Sequence, residues 1–518
     1  MAALPTAAFG QAAMAGIVTD SSGAAMAGVV VTASSSALIE KTRTTVSDVT
    51  GRYRVEPLPP GLYRVVFTAA GWRSHVREAV ELTGAFTVTV DAQLELGDLT
   101  DAITVVGQYP TIDVHGTHHD VTLSTDVIRS IPTVRSYNAL LVLMPGVVTN
   151  SNDTVTVPAQ TSFPIHGGRQ NEGRLLLDGF TVGSPGVGNS ATNYVVDTGQ
   201  AQEVTFVTPG ALGDVETAGL VMNIVPKSGG NTTHGSFFVS GASSRWQSDN
   251  LTEELKAQGV TAATPLAKVY DIAGTLGGPL RKDRTWYFLN AHTGGSTKDS
   301  PNVYYNLTAG DPAKWLYAPD SSRLQYSDRT FENAGVRLTW QATLRNRLGA
   351  FWDAQAICRT CTGSTSGAGD PARVSPEAVG VLGRPLHLTQ VTWASPVTPR
   401  WLLESGYGGT FFGVGNFERE PNPTRSLIRV IEQCARGCAA NGNIAGLGYR
   451  SQDFSVAYTG SYLWKSSVSY VTGTHNVKAG HQHTFMTDDR TFFTNDHNLT
   501  YRFDNGVPNQ LTQSISPW

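Results

Sequence analysis

The chain has 518 residues, a formal net charge of −4 and charged side chains at only 15% of positions, against about 25% in soluble globular proteins. The length predicts several domains, the near-neutral balance leaves no electrostatic footprint for a nucleic-acid partner, and no run of about 18 apolar residues offers a transmembrane helix. The 54 glycines, 17 tyrosines and 10 tryptophans point to many short strands and turns. A membrane barrel stays open, because its alternating strands look weakly hydrophobic in any window.

Residues 1–13 open on MAALPTAAFGQAA. They are small and apolar without a basic n-region, and read either as a signal-peptide remnant cleaved near Gln11–Ala13 or as an Ala-rich tail. Residues 14–96 form the first expected domain. GIVTDSSGAAMAGVVVTA alternates and is broken by an Asp-Ser-Ser-Gly turn signal, consistent with a hairpin. Glycines at 23, 51, 61 and 71 then punctuate strands at the spacing of a small β-sandwich. Glu40, Glu56 and His75 read as solvated surface, and no metal-ligand motif is present. The pattern Gly16-x-Val18-x-Asp20, Gly23, Gly28, Asp48-x-x-Gly51-x-Tyr53, Leu58, Pro60-Gly61-x-Tyr63 and Gly71-Trp72 resembles the carboxypeptidase regulatory-like domain. That resemblance implies a transthyretin-like sandwich without peptidase chemistry.

Residues 97–232 form the second. Within DAITVVGQYPTID the apolar segment Ile103-Thr104-Val105-Val106 reads as a short extended stretch, and equally as an ordinary strand leaving the first domain. Ser136 is placed to cap a helix whose Leu140, Leu141 and Met144 face a core, ended by Pro145-Gly146. PIHGGRQNEGRLLLDGFTVG follows, with Gly167, Gly168, Arg169, Asn171, Leu175 to Leu177, Asp178 and Gly179. Between Glu203 and Phe237 the chain then runs EVTFVTPGALGDVETAGLVMNIVPKSGGNTTHGSF, two strands and a Lys-Ser-Gly-Gly junction onto amphipathic β-structure.

These stretches closely resemble the plug and the start of the barrel in TonB-dependent outer-membrane receptors. The resemblance implies an α+β plug inside a polar barrel lumen, where Arg169 and Asp178 find paired partners. It makes Ile103–Val106 the TonB box, which pairs as an added strand with a TonB-type energy-transducing inner-membrane complex. The family usually has Arg where this chain has His166. Asp178-Gly179 also reads as a plain turn, and both readings are compatible.

Residues 233–518 are expected to form a partial antiparallel barrel. DIAGTLGGPLRKDRTWYFLNAH reads as strand, tight turn at Arg281–Arg284, strand, and the family carries a closely similar hairpin. Ala334, Val336, Leu338 and Trp340 share one face against Asn333, Arg337, Thr339 and Gln341. Trp401, Leu403, Tyr407 and Phe411 oppose Glu404 and Thr410, and Tyr462, Trp464, Val468 and Tyr470 oppose Lys465, Ser467 and Ser469. Short turns (Leu344–Asn346, Thr398–Arg400) alternate with long loops at about 297–328, 358–385 and 413–455, the asymmetry of a membrane barrel with its short turns periplasmic. The alternation also suits a large soluble β-protein. About nine or ten barrel strands are expected, where the family has 22, and Pro517 spoils a terminal strand in SISPW. The chain therefore reads as the N-terminal part of a longer protein, its barrel apparently truncated.

Cys358/Cys361 and Cys434/Cys438 are two local pairs in Gly/Ser/Asn-rich segments without nearby histidines. Two loop-stapling disulfides fit them better than zinc. His481-x-His483 shares a strand face but lacks further ligands, and no nucleophile elbow or metalloprotease motif occurs, so neither an enzyme nor a cofactor is expected. The chain as a whole is mostly β and resembles the Oar-like branch of the receptor family. That implies an outer-membrane location, a periplasmic N-terminal domain, lipid contact, and uptake of an unspecified ligand: siderophore, glycan, peptide or cobalamin. An adhesion or export protein of the same fold, and a secreted carbohydrate-binding β-protein, are the alternatives.

Overall fold

A computed structural model of the chain describes residues 12–35, 38, 41–58, 61–82, 87–95, 102–106, 120–131, 135, 137–148, 163–169, 172–183, 194–208, 219–248, 251–257, 266–357, 373–379, 381–382, 386–398, 400–417, 422–435, 437–438, 444–472 and 475–515. The first strands are β1 (Ala12–Asp20), β2 (Val30–Ser34), β3 (Thr42–Val46), β4 (Arg52–Leu58), β5 (Gly61–Thr68), β6 (Ser74–Leu82), β7 (Thr87–Thr89), β8 (Ala92–Leu94) and β9 (Ala102–Val106). They build two sheets, β4-β1-β7 with β8 also on β1, and β3-β2-β5-β6-β9. Alternate residues of both sheets, among them Met14, Val18, Val31, Val65, Phe67 and Val90, meet in one core.

Two matching turns tie this sandwich together. Asp20 Oδ1 accepts from the Ser22 and Ala24 amides at 2.8 and 3.0 Å. Asp48 Oδ1 accepts from the Thr50 and Arg52 amides at 2.8 and 3.0 Å. Each carboxylate also takes the neighbouring hydroxyl, so both Asp pKa values lie below the ordinary 3.8, led by that hydroxyl bond. Gly16 has a different duty: a Cβ there would fall 2.3 Å from the Val90 carbonyl oxygen, so only glycine lets the strands approach.

Two residues expected on the solvated surface are buried. His75 pairs across the ladder with Phe67 and shares its core-facing side, the rings edge-on with centroids 6.0 Å apart. Burial pushes the imidazole pKa below its ordinary value. Glu56 lies beneath Arg54, two residues away on the same face, and accepts from its Nε at 2.5 Å. Glu40 and residues 1–11 lie outside the described residues.

The next sheet runs β10-β13-β14-β11-β12, from β10 (Asp120–Ser124), β11 (Arg174–Leu177), β12 (Phe180–Thr181), β13 (Ala201–Val207) and β14 (Val221–Pro226). Helices α1 (Thr125–Ser130) and α2 (Tyr137–Leu141) accompany it. Leu140, Leu141 and Met144 are buried as expected, while Ser136 lies outside the described residues. The core of this domain includes Phe163, Leu175, Val204 and Met222, and it continues outward into Phe351, Leu386, Leu388 and Phe412 of the surrounding wall.

That wall is a ten-stranded antiparallel sheet, β15-β16-β17-β18-β19-β21-β22-β25-β26 with β20 on β22. Its strands are β15 (His234–Ser243), β16 (Leu266–Arg281), β17 (Thr285–Asn306), β18 (Pro319–Gln341), β19 (Arg347–Ile357), β20 (Val381–Leu382), β21 (Leu386–Thr398), β22 (Trp401–Phe417), β25 (Phe454–Thr472) and β26 (His475–Phe493). β15 and β26 end the sheet and do not pair with each other. The expected alternation holds with its polarity inverted relative to a soluble protein. Leu338, Trp340, Trp401, Tyr407, Phe411 and Trp464 are exposed, while Asn333, Thr339, Thr410, Lys465 and Ser469 are buried. The sheet thus turns an apolar face outward and a largely polar face toward the domain it surrounds, the distribution of a barrel with a filled polar lumen.

The long connections are more ordered than expected. β17 and β18 run 22 and 23 residues, well past the roughly 9–11 that a tilted strand needs to cross a bilayer, so most of the region 297–328 is strand. β23 (Arg429–Glu432), β24 (Gly448–Tyr449), β27 (Leu499–Asp504) and β28 (Val507–Gln513) form a further sheet, β24-β23-β27-β28. It packs Val430, Tyr449 and Phe503 against Val303 and Tyr317 beyond the wall. Cys434 and Cys438 are disulfide-bonded with their Cα atoms 4.8 Å apart, whereas Cys358 and Cys361 lie outside the described residues.

The two Asp turns carry a pH signature. Their folded pKa values lie below the unfolded one, so the stability they contribute is complete above about pH 4 and is lost as pH falls through the folded value. Hydrogen-exchange protection of residues 20–24 and 48–52, corrected for intrinsic rates, should fall in that acid window. Asp48→Asn should remove the dependence at 48–52 alone.

Candidate functional site

β11 and β12 are joined by the two residues Asp178 and Gly179, with Leu177 facing Phe180. Both turn residues have positive φ, 54° and 73°, the type I′ geometry for which Asp-Gly is suited. The Gly179 amide donates to Asn223 Oδ1 at 2.9 Å, fixing the tip to β14. So built, the hairpin tip meets the wall in four contacts. Asp178 pairs with Arg337, Lys465 Nζ donates to the Gly179 carbonyl at 2.6 Å, and Gln390 Nε2 donates to the Leu177 carbonyl at 3.0 Å. The fourth is Phe180, buried against β22 where Gly406 and Gly408 would place a Cβ 2.6 and 2.7 Å from its ring. Glycines two apart on one strand face leave a shallow hole, Phe180 fills it, and Lys465 Nζ sits 3.7 Å from the ring centroid as a cation–π cover.

A second contact lies further along the lumen. Gln355 of β19 donates to the Val195 carbonyl at 2.6 Å and accepts from the Val195 amide at 2.9 Å, imitating a strand partner for that one residue. Beside it Asp197 caps a short helical turn through the Gly199 amide at 2.7 Å and lies 3.4 Å from His292 Nδ1. The other ring nitrogen of His292 is 2.7 Å from Asp271 Oδ1, so this wall histidine bridges a domain carboxylate and a wall carboxylate. Neighbouring wall strands supply a polar cluster, Asn290 donating to Asn333 and Asn333 to Asp353, both at 2.6 Å. Gly335 leaves the room, since a Cβ there would lie 2.5 Å from both Asn290 Oδ1 and Asp353 Oδ2. Where the inner domain passes into the wall, Lys227 Nζ donates to the Gly199 carbonyl at 2.8 Å, and burial pushes its pKa down from 10.5 to about 8.

These groups bind and position, and no nucleophile–base pair is among them. Among the described residues no group of three or more His, Cys, Asp or Glu is arranged to hold a metal ion, and His481 and His483 are exposed, their rings stacked 6.5 Å apart. Toward the short-turn rim a cavity of about 1070 Å³ opens between the sandwich (Leu38, Leu62), the hairpin (Asp178) and the wall (Arg337, Leu344, Arg345). The sandwich therefore sits at the end of the wall that carries the short turns.

The expected site residues are spread over three places. Asp178 and Gly179 stand at the centre, both as a turn and as a contact. Gly167, with φ 74°, and Gly168 form a turn. Arg169 is exposed instead of paired in the lumen, because that turn leaves it on the surface, and its backbone closes on Glu172: the amide donates to Glu172 Oε2 at 3.2 Å and the carbonyl accepts from the Glu172 amide at 3.2 Å. Asn171 lies outside the described residues. Ile103–Val106 forms most of β9, parallel to β6, far in sequence from the hairpin. Sequence reading missed Phe180, Gln355, Gln390, Asp197 and His292. The one available signal was the run of glycines in β22, Gly406 and Gly408 among them, which marks a close approach without naming what approaches.

Residues 13–95 match the family model of the carboxypeptidase regulatory-like domain. Over 265 residues the chain is 29% identical to the TonB-dependent transporter Oar of Myxococcus xanthus, a match covering 48% of this chain and 24% of that protein. The fold is similar to that of the outer-membrane transporter YddB from Escherichia coli, with a TM-score of 0.50 at 14% identity over 76% of this chain and 51% of the other. A weaker likeness, TM-score 0.46 at 11% identity, links 76% of this chain with 47% of the ferripyoverdine receptor of Pseudomonas aeruginosa. The chain thus spans about a quarter of the curated relative and about half of the solved structures it matches.

Gly408→Leu should drive the Phe180 knob from its hole at a cost of about 1–3 kcal/mol, read as faster hydrogen exchange across residues 174–181 with the sandwich unaffected. Lys227 yields a pH test. Its folded pKa is depressed, so the unfolded chain holds the extra proton between about pH 8 and the ordinary lysine value of 10.5, and stability rises with pH across that window. Unfolding midpoints of wild type relative to Lys227→Met should climb between those limits and stay level below them.

Proposed function

We propose that this chain, whose front is a carboxypeptidase regulatory-like domain and whose inner domain and wall take the fold of TonB-dependent outer-membrane receptors, serves energy-coupled uptake of a scarce nutrient across an outer membrane. The observation that carries this reading is the inner domain held as a plug. Wall side chains reach its backbone at Leu177, Gly179 and Val195. Each such bond, exchanged for one to water, contributes a net of only about 0.5–1.5 kcal/mol. A plug held by separate bonds of that kind is stable at rest and yields to modest mechanical work.

In this reading the exposed apolar face of the wall meets outer-membrane lipid and the short turns face the periplasm. The sandwich, which lies at the short-turn end, is then periplasmic. The sheet β24-β23-β27-β28 stands at the other end, where ligand arrives. Ile103–Val106 is the segment on which a TonB-type inner-membrane complex pulls, and the chain from 107 to 119 carries the pull to β10. The cargo is a siderophore, glycan, peptide or cobalamin, with the sandwich-bearing type favouring glycans or other polymers.

Val105→Pro removes one amide from the pairing segment and tests the reading directly. A deletion strain complemented with the variant should fall to background growth across a panel of ferric siderophores, oligosaccharides, peptides and cobalamin, with outer-membrane levels unchanged. Growth equal to wild type on every nutrient that the wild type rescues would favour the adhesion or export alternative.

A further inference from the structure

β9 is the end strand of the sandwich sheet β3-β2-β5-β6-β9. It runs parallel to β6 in an unbroken register, from Ser74 opposite Ala102 to Glu78 opposite Val106. The preceding strand, β8, belongs to the other sheet, on β1. β8 and β9, neighbours in sequence, therefore lie on opposite sheets of the sandwich. No strand lies on the outer side of β9 among the described residues. Its sequence, AITVV, has no charge, proline or bulge of the kind that natural edge strands use against unwanted pairing.

We propose that the sandwich is a docking platform: it holds β9 extended so that a strand of the periplasmic coupling protein adds beside it as the sixth strand of the sheet. This rests on the reading of Ile103–Val106 as the pairing segment and says how that segment is presented. Addition is favoured over exchange by simple accounting of hydrogen bonds. A parallel ladder uses one edge of β9 and leaves the alternate amides and carbonyls on its other edge available. An incoming strand that replaced β6 would have to break the whole β6–β9 ladder and leave β6 as a second raw edge. One that adds breaks nothing. Ordering a free segment also costs about 1–2 kcal/mol per residue in backbone entropy, and β9 is already ordered, the usual source of affinity in a preorganised site. The occupant is an extended strand from a protein on the sandwich side of the wall, because β9 leads directly through residues 107–119 to the plug and a pull applied there reaches β10.

The test locks β9 to β6 without altering Ile103–Val106. Ser74→Cys/Ala102→Cys joins a facing pair at the backbone spacing a cross-link can span, closed by oxidation or a short thiol-bridging reagent. Binding is measured with the purified periplasmic domain of the source organism's TonB-type protein. The locked protein should bind unchanged or up to about tenfold tighter. A loss of more than tenfold on locking, reversed by reductant, would overturn the proposal, since it would mean the partner must displace β6. Failure of the cross-link to form would overturn it by removing the pairing, and so would self-association through this edge, read as a dimer that Val105→Pro abolishes. If Val105→Pro itself binds like wild type, the underlying reading of Ile103–Val106 fails, whatever the locked protein does.

Discussion

A sheet with an apolar outer face must satisfy its backbone from within, and each strand of the wall bonds to its neighbours in the sheet. Its side chains then have only two places to go. The alternation of β17, β18, β19, β22 and β25 sends Leu, Trp and Tyr outward and Asn, Gln, His, Asp and Lys inward. The polar groups of that inward face need polar partners. The plug supplies them, with Asp197 beside His292 and the backbone at Val195, Leu177 and Gly179 facing glutamine and lysine.

The same constraint explains where the plug is anchored and where it is only touched. The hydrophobic contact between plug and wall is narrow: Phe180 on a pair of glycines, and the plug core running out to Phe351, Leu386, Leu388 and Phe412. Around it the contacts are separate polar ones, the Asp178–Arg337 and Asp197–His292 pairs and hydrogen bonds to the backbone at Leu177, Gly179 and Val195. A continuous apolar interface would make the domain immovable, and a purely polar one would leave it without register. One aromatic knob with a cation over its ring sets the register, and the polar contacts around it are individually weak.

Across the cavity from the hairpin tip, at the short-turn end of the wall, stands the sandwich, built by a separate logic. Its core is largely apolar, its turns are held by two aspartates at matching positions, and β9 is an end strand of its five-stranded sheet. The chain thus places a rigid domain directly before the segment that connects to the plug.

Much was readable from the chain alone wherever the deciding interaction is local. The sandwich turns follow from Asp-x-x-Gly, the hairpin tip from Asp178-Gly179, and the two faces of the wall from the period-two alternation around Trp340, Trp401 and Trp464. The disulfide between Cys434 and Cys438 also spans only four residues. What the tertiary structure decided are pairings between residues far apart in the chain, to which no local pattern points. Phe180 meets Gly406 and Gly408, Gln355 meets Val195 across 160 residues, and Lys465 meets Gly179 across 286. His75 and Glu56 looked like surface because charge and polarity are read one residue at a time, while burial is conferred by Phe67 and Arg54. Even β9 was visible as an extended segment, but its partner strand was not, because a parallel ladder leaves no mark in the sequence of either strand.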